Sequence, residues 1–260
     1  MTQSTRAVRI GSHDINVLSS GQFADDGRRH FTCLHGLVDT VDIWKRLAPK
    51  LEERGRVTRF DQRGHGQSDA PPGPYSRADL AADVIAVLDA EGIEQTILVG
   101  HSMGGIVAME TALAYPDRIS GLVLIGTTSE CREKIAGWYE RIALAGERDG
   151  VAGLGRAIYG EKSTKQIAGD AQGIAHVTRM LKSLYSDPLT PKLGEIRCPA
   201  LMTVGEKDPM GPKASEIVHA AMSEGRAELL RVPEKGHWLQ LEAVDDVVAA
   251  LDRWLDQFEL

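Results

Sequence analysis

Residues Gly100-His101-Ser102-Met103-Gly104 lie between an apolar run, Ile97-Leu98-Val99, and a helix-patterned segment rich in Ala, Met and Val. A Gly-x-Ser-x-Gly in that position constrains the fold more than any other stretch of the chain. It requires a strand that turns sharply into a helix, with the serine on strained backbone at the apex and its hydroxyl above the sheet. Gly100, Gly104 and the adjacent Gly105 leave room for strand and helix to approach closely. The five-residue pattern is weak by itself; its setting carries the argument.

The surrounding sequence supplies the sheet that such a turn needs. Runs at 8–10 and 15–18 read as a hairpin, and 31–34 and 57–60 as buried strands. Residues 42–53 read as a helix capped by Thr40. Ser76 opens a helix with Asp79 completing a capping box and Gly92 as the stop. The run 97–99 is a strand, and 102–114 is a helix ended before Pro116. The continuous apolar stretch 119–125 suits a strand covered on both faces. Strands alternating with helices imply βαβ units and a mostly parallel, twisted sheet with helices on both faces, an α/β fold. From 128 to 195 the strand rhythm stops and helical character takes over, then resumes with a strand at 199–204, a helix near 215–222, a strand at 228–232 and an amphipathic helix at 244–258. The expected organisation is a first core part, 1–127, a helical cap or lid inserted after strand 6, 128–195, and a second core part, 196–260.

Composition excludes several classes. With 260 residues and 42% hydrophobic content, the chain can bury a sizeable core. A formal net charge of -7, with no basic stripe, argues against nucleic-acid binding. No apolar run reaches the roughly 18 residues of a membrane span, and the polar start Met-Thr-Gln-Ser-Thr-Arg has no signal-peptide core. Cys33, Cys131 and Cys198 are widely spaced, with no CxxC pair, as in a reducing compartment. The expectation is a cytoplasmic protein acting on a small-molecule substrate and water, with no cofactor and no metal. Oligomeric state is not legible.

A serine hydroxyl needs a neighbouring base, and the base needs an orienting carboxylate. His237, in the loop after the last strand, is the natural base. Asp208, after the strand ending near Val204, is the natural acid, with Glu130 as its rival. Loops at strand ends open on one edge of a parallel sheet, so Ser102, Asp208 and His237 can converge there. An oxyanion hole would use the backbone N–H of Met103, the residue after the serine, and that of Leu37 in the loop His35-Gly36-Leu37. Trp44, Trp138, Tyr159, Met180 and Trp238 are candidates for the substrate pocket by position. The polar loop from Asp61 to Ser68, including His65, reads as self-bonding structure rather than a second site. Arg132, Arg141, Arg156, Arg179 and Lys182 read as solvated helix faces.

His35-Gly36, Asp61-x-Arg63-Gly64-x-Gly66-x-Ser68, Gly100-His101-Ser102-Met103-Gly104-Gly105, Gly205-x-x-Asp208 and Gly236-His237 together resemble the α/β-hydrolase superfamily over essentially the whole chain. Within it, the sequence is similar to small lactonases and esterases of the 3-oxoadipate enol-lactonase type, and to carbon–carbon bond hydrolases. The resemblance implies a Ser–His–Asp triad on Ser102, His237 and Asp208, with oxyanion roles on Leu37 and Met103. The leading expectation is hydrolysis of a small ester or lactone through an acyl-enzyme. Carbon–carbon or amide hydrolysis on the same triad is the alternative, and a ligand-binding receptor of the same fold is the non-enzyme reading.

Overall fold

The computed structural model describes residues 3–20 and 29–260. Eight strands form one sheet: β1 (Gln3–Ile10), β2 (His13–Ser20), β3 (Arg29–Leu34), β4 (Gly55–Phe60), β5 (Thr96–His101), β6 (Ile119–Ile125), β7 (Ala200–Gly205) and β8 (Ala227–Val232). Their order is β1-β2-β4-β3-β5-β6-β7-β8. The β1–β2 hairpin joins β4 antiparallel, and every pairing from β4 to β8 is parallel. The helices are α1 (Ala48–Glu52), α2 (Arg77–Ala90), α3 (Met103–Ala114), α4 (Glu133–Tyr159), α5 (Ala171–Lys182), α6 (Pro212–Ala221), α7 (Leu239–Glu242) and α8 (Val244–Gln257).

The period-2 alternation of strand side chains divides the interior into two cores. Leu98, Leu122, Leu124, Ala200 and Met202 face a core shared with α2, α3, α5 and α6. Ile97, Val99, Val123, Ile125 and Leu201 face the opposite core, closed by α1 and α8. The capping box at Ser76 forms as expected, Ser76 Oγ accepting from Asp79 N–H and Asp79 accepting from Ser76 N–H. The helix expected over 42–53 is interrupted. A short 3₁₀ turn, Val41–Trp44, is capped by Thr40, and α1 begins anew at Ala48, with Pro49 in its first turn.

Between β6 and β7 the described residues form helices and turns with no strand. In α4, Gly150 has φ 67° and ψ -157°, which breaks it into two helical pieces at a position favouring glycine. The start of α5 is stitched to the loop after β4. Gly66 N–H donates to Ala168 O at 3.0 Å, Asp170 N–H to Gly64 O at 2.9 Å, and Gly173 lies so close to Gly64 that a Cβ on either would collide. Past the end of α5, Arg77 of α2 pairs with Asp187, donates to Ser183 Oγ at 2.9 Å and also pairs with Glu110 of α3. No helix among the described residues is long and apolar enough to cross a membrane.

Candidate active site

The turn at Ser102 has the strained geometry its sequence demands. Ser102 has φ 51° and ψ -114°, a left-handed conformation that non-glycine residues seldom adopt. The apex is held by Ser102 N–H donating to Ile125 O at 2.9 Å and Thr127 Oγ1 donating to Ser102 O at 2.7 Å. The glycines are there for space. A Cβ on Gly100 would stand 2.5 Å from Gly104 O and 2.6 Å from Gly105 Cα, and one on Gly104 would overlap Leu34 O.

Asp208 and His237 arrive from the loops after β7 and β8. Those loops pack on each other, Lys207 N–H donating to Lys235 O at 2.8 Å. Asp208 is buried; its Oδ1 accepts from Met210 N–H at 2.8 Å and its Oδ2 lies 2.8 Å from His237 Nδ1. A carboxylate at Nδ1 places the ring proton on that nitrogen and leaves Nε2 as the basic lone pair. Gly126, at φ 55°, lies against the pair; a Cβ there would stand 2.9 Å from Asp208 Oδ2 and 3.1 Å from His237 Nδ1. Glu242 clamps the histidine loop, accepting from Gly236 N–H at 3.0 Å and Trp238 N–H at 3.4 Å. The rival carboxylate is engaged elsewhere: Glu130 accepts from Thr190 Oγ1 at 2.7 Å.

Ser102 and His237 line one cavity of about 460 Å³, between the strand ends and α4. Ser102 Oγ makes no hydrogen bond to a described residue. Leu37 and Met103 border the cavity too, and neither amide donates to another described group; Met103 heads α3, where the N–H has no acceptor within the helix. Trp138, Tyr159 and Trp238 form part of the wall. Two expected wall residues do not. Trp44 is completely buried in the core closed by α1 and α8, because the 3₁₀ turn carries it to the sheet face opposite the cavity. Met180 faces the other core, and Leu181, about 100° further round the helix, reaches the cavity instead.

Residues that sequence reasoning passed over complete the site. Asp39 lines the cavity, its Oδ2 3.6 Å from His101 Nδ1, too long for a hydrogen bond. His101 is buried, and its Nε2 donates to His237 O at 3.1 Å, bracing the loop that carries His237. Burial holds the His101 imidazole below its ordinary range. Burial alone would raise the Asp39 carboxyl, but His101, His35 and Lys165 outweigh it and keep it below the usual carboxylate range. The structural reading of the Asp61 loop matches its bonds. Asp61 accepts from Asn16 Nδ2, Val41 N–H and Gln67 N–H at 2.8–2.9 Å, and burial pushes His65 down to about 3.

Comparison with known proteins agrees with the geometry. The family model described as alpha/beta hydrolase fold matches residues 29–152. A protein of Bacillus subtilis named as a 2-succinyl-6-hydroxy-2,4-cyclohexadiene-1-carboxylate synthase is 27% identical, over 90% of this chain and 94% of its own. A protein of Variovorax paradoxus named as a carbamate hydrolase is 30% identical, over 68% of this chain and 73% of its own. The crystal structure of the enol-lactonase from Burkholderia xenovorans superposes with a TM-score of 0.85 at 22% identity, covering 96% of this chain and 100% of that one, a likeness of fold. The chain belongs to the α/β-hydrolase family and is a hydrolase of that fold.

Proposed function

We propose that the protein is a serine hydrolase of small esters or lactones, with Ser102 as nucleophile, His237 as general base and acid, and Asp208 as the carboxylate that orients the imidazole. The observation that carries this reading is the 2.8 Å contact between His237 Nδ1 and Asp208 Oδ2, on an imidazole that opens into the same cavity as Ser102. The missing hydrogen bond from Ser102 Oγ is no obstacle, since catalytic hydrogen bonds in unliganded sites are often long and close when substrate arrives.

In the proposed cycle, Ser102 Oγ attacks the carbonyl carbon while His237 Nε2 accepts the hydroxyl proton. The carbonyl π electrons move onto oxygen, and the Leu37 and Met103 N–H groups hold that oxyanion. His237 returns the proton to the leaving alkoxide as the C–O bond breaks. Water then repeats the sequence on the acyl-enzyme, releasing the acid and regenerating Ser102. Trp138, Tyr159 and Trp238 supply an apolar wall for the acyl or ring portion. Residues 128–195 act in this reading as a cap over the site. Support for an ester or lactone, ahead of a carbon–carbon or amide bond, comes from the enol-lactonase likeness and the predominantly apolar wall.

Labelling by a fluorophosphonate probe, followed by a rate screen over short esters, lactones and ring-fission dienones, tests the proposal. The expected result is labelling and ester or lactone turnover, both abolished in Ser102→Ala. A folded protein that is neither labelled nor active on any of these would overturn it, and turnover of the dienones alone would shift the assignment to carbon–carbon hydrolysis.

A further inference from the structure

The helical segment between β6 and β7 carries many cations, and their partners sort them. Arg148 and Arg156 pair with Asp149, Arg179 with Glu140 and Glu147, Lys182 with Glu140, and Lys192 with Asp187. Lys134 and Arg141 are different: neither has an acidic partner among the described residues, and both line the cavity. Arg132, Lys162 and Lys165 also form no ion pair with a described residue; Arg132 and Lys162 stand away from the cavity, and Lys165 lies over the Tyr159 and Trp238 rings of its wall.

Lys134 and Arg141 are seven residues apart on α4, two turns along one face and about 10 Å along the axis, with Trp138 between them on the same stripe. Their exposed stems can lie along the apolar wall while the charged ends reach the opening. Asp39 is the one carboxylate among the described lining residues, and it belongs to the loop after β3 at the sheet edge. Lys134 and Arg141 thus make the α4 side of the cavity cationic, while across it Asp39 stands near Lys165, which lies over the Tyr159 and Trp238 rings. At an apolar enclosure two such cations orient an anionic ligand more strongly than they would in open water. The chain as a whole is acidic, at -7, so this cationic rim runs against its overall charge.

The geometry points to a substrate that carries a carboxylate distal to its scissile carbonyl, the carboxylate held by Lys134 and Arg141. The substrate enters one way round, with its reacting carbonyl toward Ser102. This assignment rests on the hydrolase reading above and adds the substrate class to it.

Mono-p-nitrophenyl suberate and p-nitrophenyl octanoate share chain length and leaving group and differ in the terminal carboxylate. The readout is the ratio of kcat/KM for the two esters. Two exposed cations together give about a tenfold effect, so the Lys134→Gln/Arg141→Gln double variant should lower the ratio about tenfold, through the KM of the suberate. About 0.5 M NaCl should do the same to the unaltered protein. Arg132→Gln/Lys162→Gln, the same change of net charge away from the cavity, should leave the ratio in place. An unchanged ratio in the first variant, or an equal fall in the second, overturns the assignment.

A catalysis-free measurement separates this inference from its premise. Binding of suberate to Ser102→Ala, followed by quenching of tryptophan fluorescence, should weaken about tenfold when Lys134→Gln/Arg141→Gln is added. If fluorophosphonate labelling fails while this binding persists, the hydrolase reading falls and the carboxylate site stands. Binding that is absent, or indifferent to the two substitutions, removes the site.

Discussion

Two imidazoles meet at the rim of the sheet, their ring centroids 4.7 Å apart, and they are held in opposite ways. His237 turns Nδ1 to a carboxylate oxygen 2.8 Å away, which leaves Nε2 as the lone pair, and the residue lines the cavity. His101 turns Nε2 to a backbone carbonyl, that of His237 itself, and leaves Nδ1 3.6 Å from Asp39. The two rings are opposite tautomers. In the proposed reading the first moves a proton; the other, buried at the cavity wall, braces the loop that carries the first. Residue type and proximity to the nucleophile therefore do not make a catalytic histidine. The difference lies in the carboxylate: one at hydrogen-bond distance fixes the tautomer of His237, whereas the hydrogen-bond partner of His101 is a backbone carbonyl.

The largest break in this comparison comes from His237→Ala, which should lower kcat on an ester substrate by about 10⁵- to 10⁶-fold, measured beside Ser102→Ala. A loss no greater than that of His101→Ala would erase the distinction. Asp208→Asn keeps the contact but removes the charge that fixes the tautomer, and should cost about 10⁴-fold in kcat. His101→Ala should cost about 2–4 kcal/mol in urea unfolding, from the cavity and the lost bond, and only about tenfold in kcat. Acid sharpens the contrast among the sealed imidazoles. Burial holds His65 at about 3, against about 6.5 in the unfolded chain. Between those values the unfolded chain binds the extra proton, so its contribution is full above about 6.5 and is lost as pH falls toward about 3. His65→Gln should flatten the fall of unfolding free energy across that window by about 1.4 kcal/mol per pH unit.

Much of this candidate site is legible in the sequence. The serine turn announced itself through glycines whose spacing has a steric cause, and the apolar runs located β5, β6 and β7 because a doubly covered strand cannot hide its composition. Asp208 and His237 followed from strand-end logic. Which partner each group would choose was harder to read. Trp44 looked like a wall residue because it follows the His35 loop, yet a 3₁₀ turn in place of a continuous helix delivers it to the other core. Met180 and Leu181 differ by one helical step, finer than periodicity can resolve without a neighbouring surface. Asp39, Glu242 and the role of His101 were invisible because their importance lies in contacts across more than 60 or 130 residues, or across a loop, and no local pattern encodes those. Arg141 read as one more solvated cation, and only the acids paired with Arg156, Arg179 and Lys182 single it out.

The stitching of α5 to the loop after β4 has a consequence for remodelling. That end of the helical segment is tied by main-chain bonds to Gly64 and Gly66, while the share of the cavity wall that the segment supplies comes mainly from α4, with Leu181 as the contribution of α5. Redesigning α4 can thus change what fits inside while leaving the bonds to Gly64 and Gly66 and the serine turn in place, provided Glu140 and Glu147 are kept for Arg179 and Lys182 of α5. In the proposed reading the serine turn and its partners lie outside α4, so a change of specificity can be attempted there in one contiguous piece.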